Sequence, residues 1–305
     1  METKGSNILI AGGSGLIGSH LSSMLIDKGY TVGHLTRGST IIGDHINQFN
    51  WDVDNGEIDD TAILWADHII NLAGENVGQR WKDDTRDKIL ISRVAATQLL
   101  VDALVKNNKR VSSFINASAI GIYGEDTGEE SLNENSLRGD GFLASVAKCW
   151  ERAAGGVKDY AERFVVLRIG VVLTPAGGAL EKMLQPIRWG VGSALGSGKQ
   201  WISWIHINDL CRMFLMTIEE PIRGVLNGVA PNPVTNLEFT RELAKKMKKP
   251  LLMPRVPAFI LKLLLGKMAI MVLGSNKVSP EAFQEEGFKF EYETLSKALD
   301  SLIDS

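Results

Sequence analysis

The reading of this chain turns on Asn7-Ile8-Leu9-Ile10-Ala11-Gly12-Gly13-Ser14-Gly15-Leu16-Ile17-Gly18-Ser19-His20. Asn7 to Ala11 is a short apolar, β-branched run, which suits a strand buried on both faces. Gly12, Gly13, Gly15 and Gly18 follow, and then Leu16, Ile17, His20, Leu21, Met24 and Leu25 recur at helical spacing. Strand, glycine turn and helix in that order is the context in which a chain holds the pyrophosphate of a dinucleotide. Gly12 permits the tight turn, Gly15 lets the backbone approach phosphate, and Gly18 lets the helix pack closely on the sheet. Ser14 lies in the turn, and Leu16 and Ile17 open the helix, whose free N–H groups and positive dipole attract anions. The plainer reading of the glycines is a tight strand-to-helix connection, but the flanking pattern favours a cofactor. Two spacings fit, Gly13-x-Gly15-x-x-Gly18 and Gly12-x-x-Gly15-x-x-Gly18.

The chain has 305 residues, enough for a substantial core and for one large α/β domain with a subdomain. Its hydrophobic fraction of 44% and charged fraction of 23% are those of an ordinary globular protein. A net charge of −3 gives no general attraction to nucleic acid. Lys245, Lys246, Lys248 and Lys249 form a dense basic run that closes an expected helix, where cations offset the dipole on a solvated face. The two cysteines, Cys149 and Cys211, supply neither a disulfide framework nor metal-ligand spacing, which points to a reducing, cytoplasmic setting. No HxH, CxxC or paired-carboxylate cluster argues for metal or hydrolytic chemistry. Met1 to Ser6 is polar and lacks an apolar signal core. Val256 to Leu273 is the most apolar window, but Lys262, Gly266 and Lys267 interrupt it. A span needs about 20 apolar residues, so a buried or amphipathic C-terminal helix is expected instead. The expected partner is a small-molecule substrate, with neither nucleic acid nor membrane, and a homodimer is compatible with the sequence.

Along the chain, Lys28-Gly29 ends the first helix and Thr31 to Leu35 reads as the second strand. Thr36-Arg37-Gly38-Ser39 follows about 20 residues beyond the glycines, where an acidic residue would hold the ribose 2′-hydroxyl of NAD. No carboxylate is there; the Arg37 guanidinium, with hydroxyls at Thr36 and Ser39, suits the 2′-phosphate of NADP. Phe49 to Asp52 reads as a short third strand, with Asp52 placed toward an adenine, and Asp67 to Gly74 as a fourth. Leu72-Ala73-Gly74 is small enough at its end to let backbone approach a cofactor. A long helix from about Asp83 to Asn107 carries Arg93 and Thr97, and Val111 to Ser118 is the fifth strand. Alternating strands and helices predict a doubly wound, mostly parallel sheet, with ligands at the carboxyl ends of its strands.

These motifs resemble the extended and atypical short-chain dehydrogenase/reductase superfamily of NAD(P)-dependent epimerases and dehydratases. The resemblance rests on Gly12-x-x-Gly15-x-x-Gly18, Asn71 to Gly74, Ser118 to Gly124, Leu167 to Leu173 and Trp204 to Leu210. Within it the chain is similar to the "epimerase family" proteins called sugar-nucleotide epimerase-like. The closer marks are Ala73 to Asn76, Ser92-Arg93, the run from Trp189 to Trp204 and a C-terminal module from about Pro250 to Leu295. The resemblance implies an α/β Rossmann domain over 1–175 whose core continues to about 249, and a helical module over 250–305 completing a smaller substrate lobe. It also implies NADP (NADPH) bound by Gly12, Ser14, Gly15, Leu16, Ile17, Gly18, Thr36, Arg37, Leu72, Ala73, Gly74, Glu75 and Arg93.

In that superfamily a serine or threonine hydroxyl holds the reacting oxygen, and a tyrosine four residues before a lysine exchanges the proton, while the nicotinamide exchanges hydride. The ammonium is needed because an unperturbed tyrosine has a pKa of about 10. Ser118 occupies the serine position. The four tyrosines, Tyr30, Tyr123, Tyr160 and Tyr292, are followed four residues on by His34, Thr127, Phe164 and Ser296, so the dyad is absent. On the helix from Gly141 to Ala154, aligning Glu151 leaves Leu143 and Ala147 at the dyad positions. Lys148 lies one residue off, about 100° around the helix. Tyr123 is a candidate substitute acid, and Glu75 a candidate base if burial raises its pKa. Arg188, Lys199 and Gln200, in or beside the glycine-rich run 190–204, are candidates for binding an anionic or sugar-like ligand, or the run only shapes a long loop. His206 and Asp209 are expected to mark a strand end and a helix N-cap.

The sequence therefore predicts an NADP-dependent oxidoreductase or epimerase-like enzyme acting on a small polar, nucleotide-sugar-like substrate. The competing reading is a non-catalytic NADP-binding sensor, which the missing dyad allows.

Overall fold

Parallel strands covered by helices on both faces must send alternate side chains into two apolar layers. A computed structural model of the chain, describing residues 5–38 and 45–303, shows this in β1 (Asn7–Ala11). Ile8 and Ile10 enter one core, Leu9 and Ala11 the other, all fully buried. There follow α1 (Leu16–Asp27), β2 (Thr31–Thr36), β3 (Ile46–Asp52), β4 (Glu57–Ile58), α2 (Asp60–Trp65), β5 (His68–Asn71), α3 (Asp83–Lys106), β6 (Val111–Ala119), β7 (Asp126–Leu132) and α4 (Phe142–Ala154). The second half adds β8 (Ala161–Ile169), β9 (Val171–Leu173), α5 (Gly178–Arg188), β10 (Trp201–Ile202), β11 (Trp204–His206), α6 (Ile207–Glu219) and β12 (Gly224–Gly228). It ends with β13 (Val234–Thr235), α7 (Asn236–Lys246), α8 (Ala258–Leu265), α9 (Ile270–Leu273), β14 (Ser275–Val278), α10 (Glu281–Glu285) and α11 (Leu295–Leu302).

The main sheet has eight strands in the order β12-β8-β6-β5-β1-β2-β3-β4, parallel except for the antiparallel pair β3 and β4. Chain order reverses between β1 and β5, so their carboxyl ends form the switch point at which doubly wound sheets hold ligands. The fold is the expected Rossmann arrangement. Three short two-stranded sheets, β10–β13, β11–β9 and β14–β7, build the smaller lobe. Thus the 250–305 segment contributes β14 to a sheet as well as helices.

That segment is tied to the core through α6. His206 ends β11 and, rather than Asp209, caps α6 by accepting from the Asn208 N–H. Asp209, fully buried in the first helical turn, accepts from the main-chain N–H groups of Glu291 (3.0 Å) and Tyr292 (2.8 Å) and pairs with Arg212 (2.7 Å). The Tyr292 ring stacks on His206, and Arg212 lies over Phe288. The apolar window 256–273 is not one helix: Gly266, at φ +58°, ends α8, and only Leu261 of that helix is buried.

Burial holds His34, His68 and His206 uncharged, pushing each pKa down to about 4. The unfolded chain takes up these protons near pH 6.5, so between the two values it binds more protons than the fold, and stability falls as pH drops through that window. The expected loss between pH 7.5 and 5 is about 2 kcal/mol per histidine. Urea unfolding across this range tests it, with His68→Asn reducing the slope; a flat profile contradicts the assignment.

Candidate functional site

The glycine turn is built by close approach. Gly12 sits at φ +82°, and a Cβ there would lie 2.9 Å from the Leu72 carbonyl carbon and oxygen. A Cβ on Gly18 would lie 2.4 Å from the Gly12 carbonyl oxygen, so α1 touches the turn directly. Gly13 rests on the His34 ring, 2.3 Å from where its Cβ would be. His34 is fixed from below by the Ser22 hydroxyl, 2.6 Å from Nε2, and that hydroxyl donates to the Gly18 carbonyl. Gly15 caps α1 without a side-chain partner, no acidic residue occupies the first turn, and Ser14, Gly15 and Leu16 face outward. These residues fit a diphosphate: backbone N–H groups and an unneutralised helix start, with no side chain in the way.

Arg37 is exposed immediately beyond β2, while Thr36 is buried with its hydroxyl 3.3 Å from the Gly38 carbonyl. The charge of Arg37 reaches Asp52, whose carboxylate is held below its usual pKa first by hydrogen bonds within the 52–55 turn. Ser39 lies outside the described residues.

At the end of β5, buried Asn71 organises the next wall. Its amide donates to Thr97 Oγ1 and Asn116 Oδ1, both at 2.8 Å, and its oxygen accepts from the Ala73 N–H. The Thr97 hydroxyl also accepts from the Trp150 indole at 3.0 Å. Leu72, Ala73 and Gly74 are thereby held beside Gly12, and Gly74 leaves room for the Arg93 guanidinium, 2.9 Å from its would-be Cβ. Arg93 donates to the main-chain carbonyls of Glu75 and Ile89. Burial lowers its pKa to about 10, with the Glu75 charge opposing. The Glu75 carboxylate accepts from Gln79 at 2.8 Å.

Ser118 and Tyr123, at and after the end of β6, are joined by a buried polar cluster. Ser118 donates to Glu151 Oε1 (2.9 Å); Arg168 Nε meets the same oxygen (2.9 Å), and Arg138 reaches Oε2 (3.0 Å). Arg168 Nη1 also donates to the Tyr123 hydroxyl (3.0 Å), which in turn donates to Asn227 Oδ1 (2.7 Å). Burial raises the Tyr123 pKa despite Arg168. Burial also opposes the charge on Arg168, but the hydrogen bond and charge of Glu151 outweigh it. Leu143 lies against Gly121 and within an apolar cluster of Trp81, Ile89, Val146, Met268 and Ile270. Ala147 is buried beside Tyr123, and Lys148 pairs outside with Asp140 at 3.3 Å. Arg188 and Lys199 are exposed, but buried Gln200 spends its amide on the Leu195 and Val272 carbonyls.

The structure therefore gathers residues 12–18, 72–75 and 93 into one cradle, with 36–37 at the end of the neighbouring strand. Asn71, Glu151, Arg168 and Asn227 carry no assigned role in the sequence reading. Asn71 and Arg168 lie inside quoted motifs, but nothing in the sequence pairs them with Thr97 or Glu151.

Such a cradle on such a sheet defines a nucleotide-binding Rossmann protein of the epimerase/dehydratase type. The chain belongs to the NAD dependent epimerase/dehydratase family, whose sequence profile matches residues 8–229, and a domain of unknown function (DUF1731) matches 256–302. The epimerase family protein SH2119 of Staphylococcus haemolyticus is 36% identical over 299 residues, 97% of this chain and 99% of the relative. Among solved structures, human epimerase family protein SDR39U1, crystallised with NADPH, is similar with TM-score 0.86 and 32% identity over 97% of this chain and 98% of that one. A nucleoside-diphosphate sugar epimerase from Corynebacterium glutamicum is similar with TM-score 0.80 and 30% identity, covering 99% of this chain and 59% of that one.

Glu151→Gln leaves Arg168 buried without its counter-charge and is expected to cost about 3 kcal/mol or more in urea unfolding. Adding Arg168→Met should recover part of that loss; a single variant as stable as wild type contradicts the ion pair's role.

Proposed function

We propose that the protein binds NADPH and acts as an oxidoreductase or epimerase-like enzyme on a small polar, nucleotide-sugar-like substrate. The observation that carries this reading is the open glycine cradle with an exposed guanidinium, not a carboxylate, beyond β2. The NADPH crystallised with the human relative supports the cofactor, and the C. glutamicum relative supports the substrate class. Residues Gly12 to Gly18 would hold the diphosphate, Thr36 and Arg37 the 2′-phosphate, and Leu72 to Glu75 with Arg93 the nicotinamide side. Bound there, the nicotinamide supplies or accepts hydride. Ser118, whose proton is committed to Glu151, keeps lone pairs with which to accept a hydrogen bond from a substrate hydroxyl. Tyr123, donating to Asn227 and held protonated by burial, positions Arg168 and the end of β6. Proton exchange then falls to the half-buried Glu75 carboxylate or to solvent.

A second reading, a non-catalytic NADPH sensor, is favoured by one observation: an apolar cluster occupies the ground around Leu143, where a dyad tyrosine would stand.

Arg37→Ala is expected to weaken NADPH binding about tenfold or more, the worth of a charged hydrogen bond, while NADH binding changes little. Calorimetry with both nucleotides checks this; equal losses overturn the 2′-phosphate role. In a screen of carbonyl and sugar-nucleotide substrates, hydride transfer that Ser118→Ala and Glu75→Gln each depress supports the enzyme. NADPH binding with no turnover on any substrate supports the sensor.

A further inference from the structure

From Lys245 to Pro280 the chain carries eight Lys or Arg residues and not one Asp or Glu, within a protein whose net charge is −3. Lys246 pairs with Asp300 and Lys267 with Asp83, but no carboxylate pairs with Lys248, Lys249, Arg255 or Lys262 among the described residues. The same stretch exposes large apolar side chains: Leu252 is 79% exposed, Phe259 70%, Leu263 79% and Leu264 63%. On α8, Phe259 and Leu263 stand one turn apart on the outward face, whereas Leu261 on the opposite side is buried. Hydrogen bonds between Ala194 and Val256, and between Ser193 and Pro254, lay the 191–195 loop alongside, near the exposed Trp189. A stretch that exposes aromatic and aliphatic side chains among cations without a carboxylate partner has the composition that lies in the headgroup boundary of an anionic bilayer, apolar groups inward and ammonium groups at the phosphates.

A second copy of the chain fits this face poorly. A two-fold contact brings the same patch against itself, and here that sets uncompensated cations against cations. An anionic lipid surface satisfies both the apolar and the basic side chains at once. We propose that residues 245–273 dock the protein peripherally on an anionic lipid surface, without crossing it. No helix among the described residues is long and apolar enough to cross a membrane.

The full-length protein is tested by co-sedimentation with phosphatidylcholine vesicles made with and without phosphatidylglycerol. Binding is expected to be roughly tenfold or more tighter to the anionic vesicles and to weaken with added salt. Phe259→Ser/Leu263→Ser and, separately, Lys248→Glu/Lys249→Glu should each lower it about tenfold, with melting temperature and NADPH affinity unchanged. Failure to sediment, equal binding to both vesicles, or variants that bind as wild type overturn the proposal. So does a concentration-dependent dimer in analytical ultracentrifugation that Phe259→Ser/Leu263→Ser dissolves, since the face is then an interface between copies.

Discussion

The Gly12 carbonyl oxygen stands 2.4 Å from where a side chain on Gly18 would begin, and the site depends on that space staying empty. Only with α1 pressed against the turn do the helix start, the Leu72–Ala73 backbone and the end of β2 converge on one volume. Even the smallest side chain at residue 18 would push α1 off the sheet, taking with it Leu21 and Leu25, which are fully buried in the core. Cofactor geometry and core packing are thus one constraint, and a change that disturbs either disturbs both.

A second constraint fixes the other side of the switch point. β6 ends beside β8, with Ser118 opposite Arg168, and the cation so placed has to be matched. Glu151 does this from α4, and because it is buried the match is costly to break. The consequence for chemistry is geometric: the hydroxyl of Ser118 points along a fixed hydrogen bond and is not free to rotate toward a ligand. The surroundings of Tyr123 act in the same direction, since both its donor and its acceptor capacities are already engaged.

What was legible in the sequence follows from range. β1, α1 and α3 are local patterns, strand run, glycine turn and helical period, and their boundaries read correctly to within a residue or two. Asn71, Asn227, Glu134 and Arg168 were not legible as a group because their meaning lies in contacts across strands, as when Glu134 accepts from the Asn227 N–H. Gln200, open in the sequence between binding a ligand and shaping a loop, is settled by contacts of both ranges: its amide is satisfied by the Leu195 carbonyl within the same loop and by the distant Val272 carbonyl. The window 256–273 reads as one helix despite its interruptions at Lys262, Gly266 and Lys267; the chain instead turns at Gly266, whose positive φ is a backbone property that hydropathy does not register.

The missing dyad can be weighed by asking whether Arg168 does for Tyr123 what a lysine one turn along the helix does elsewhere. Both bring a cation to a phenol, and Arg168 does so at 3.0 Å. A cation favours the phenolate, and burial opposes it. Here burial wins, for the phenol's pKa is raised. Arg168 does lower the phenol's pKa, by its charge and its hydrogen bond, but the loss of hydration on burial is the larger effect. The cluster therefore holds the end of β6 in shape and keeps the Tyr123 phenol protonated.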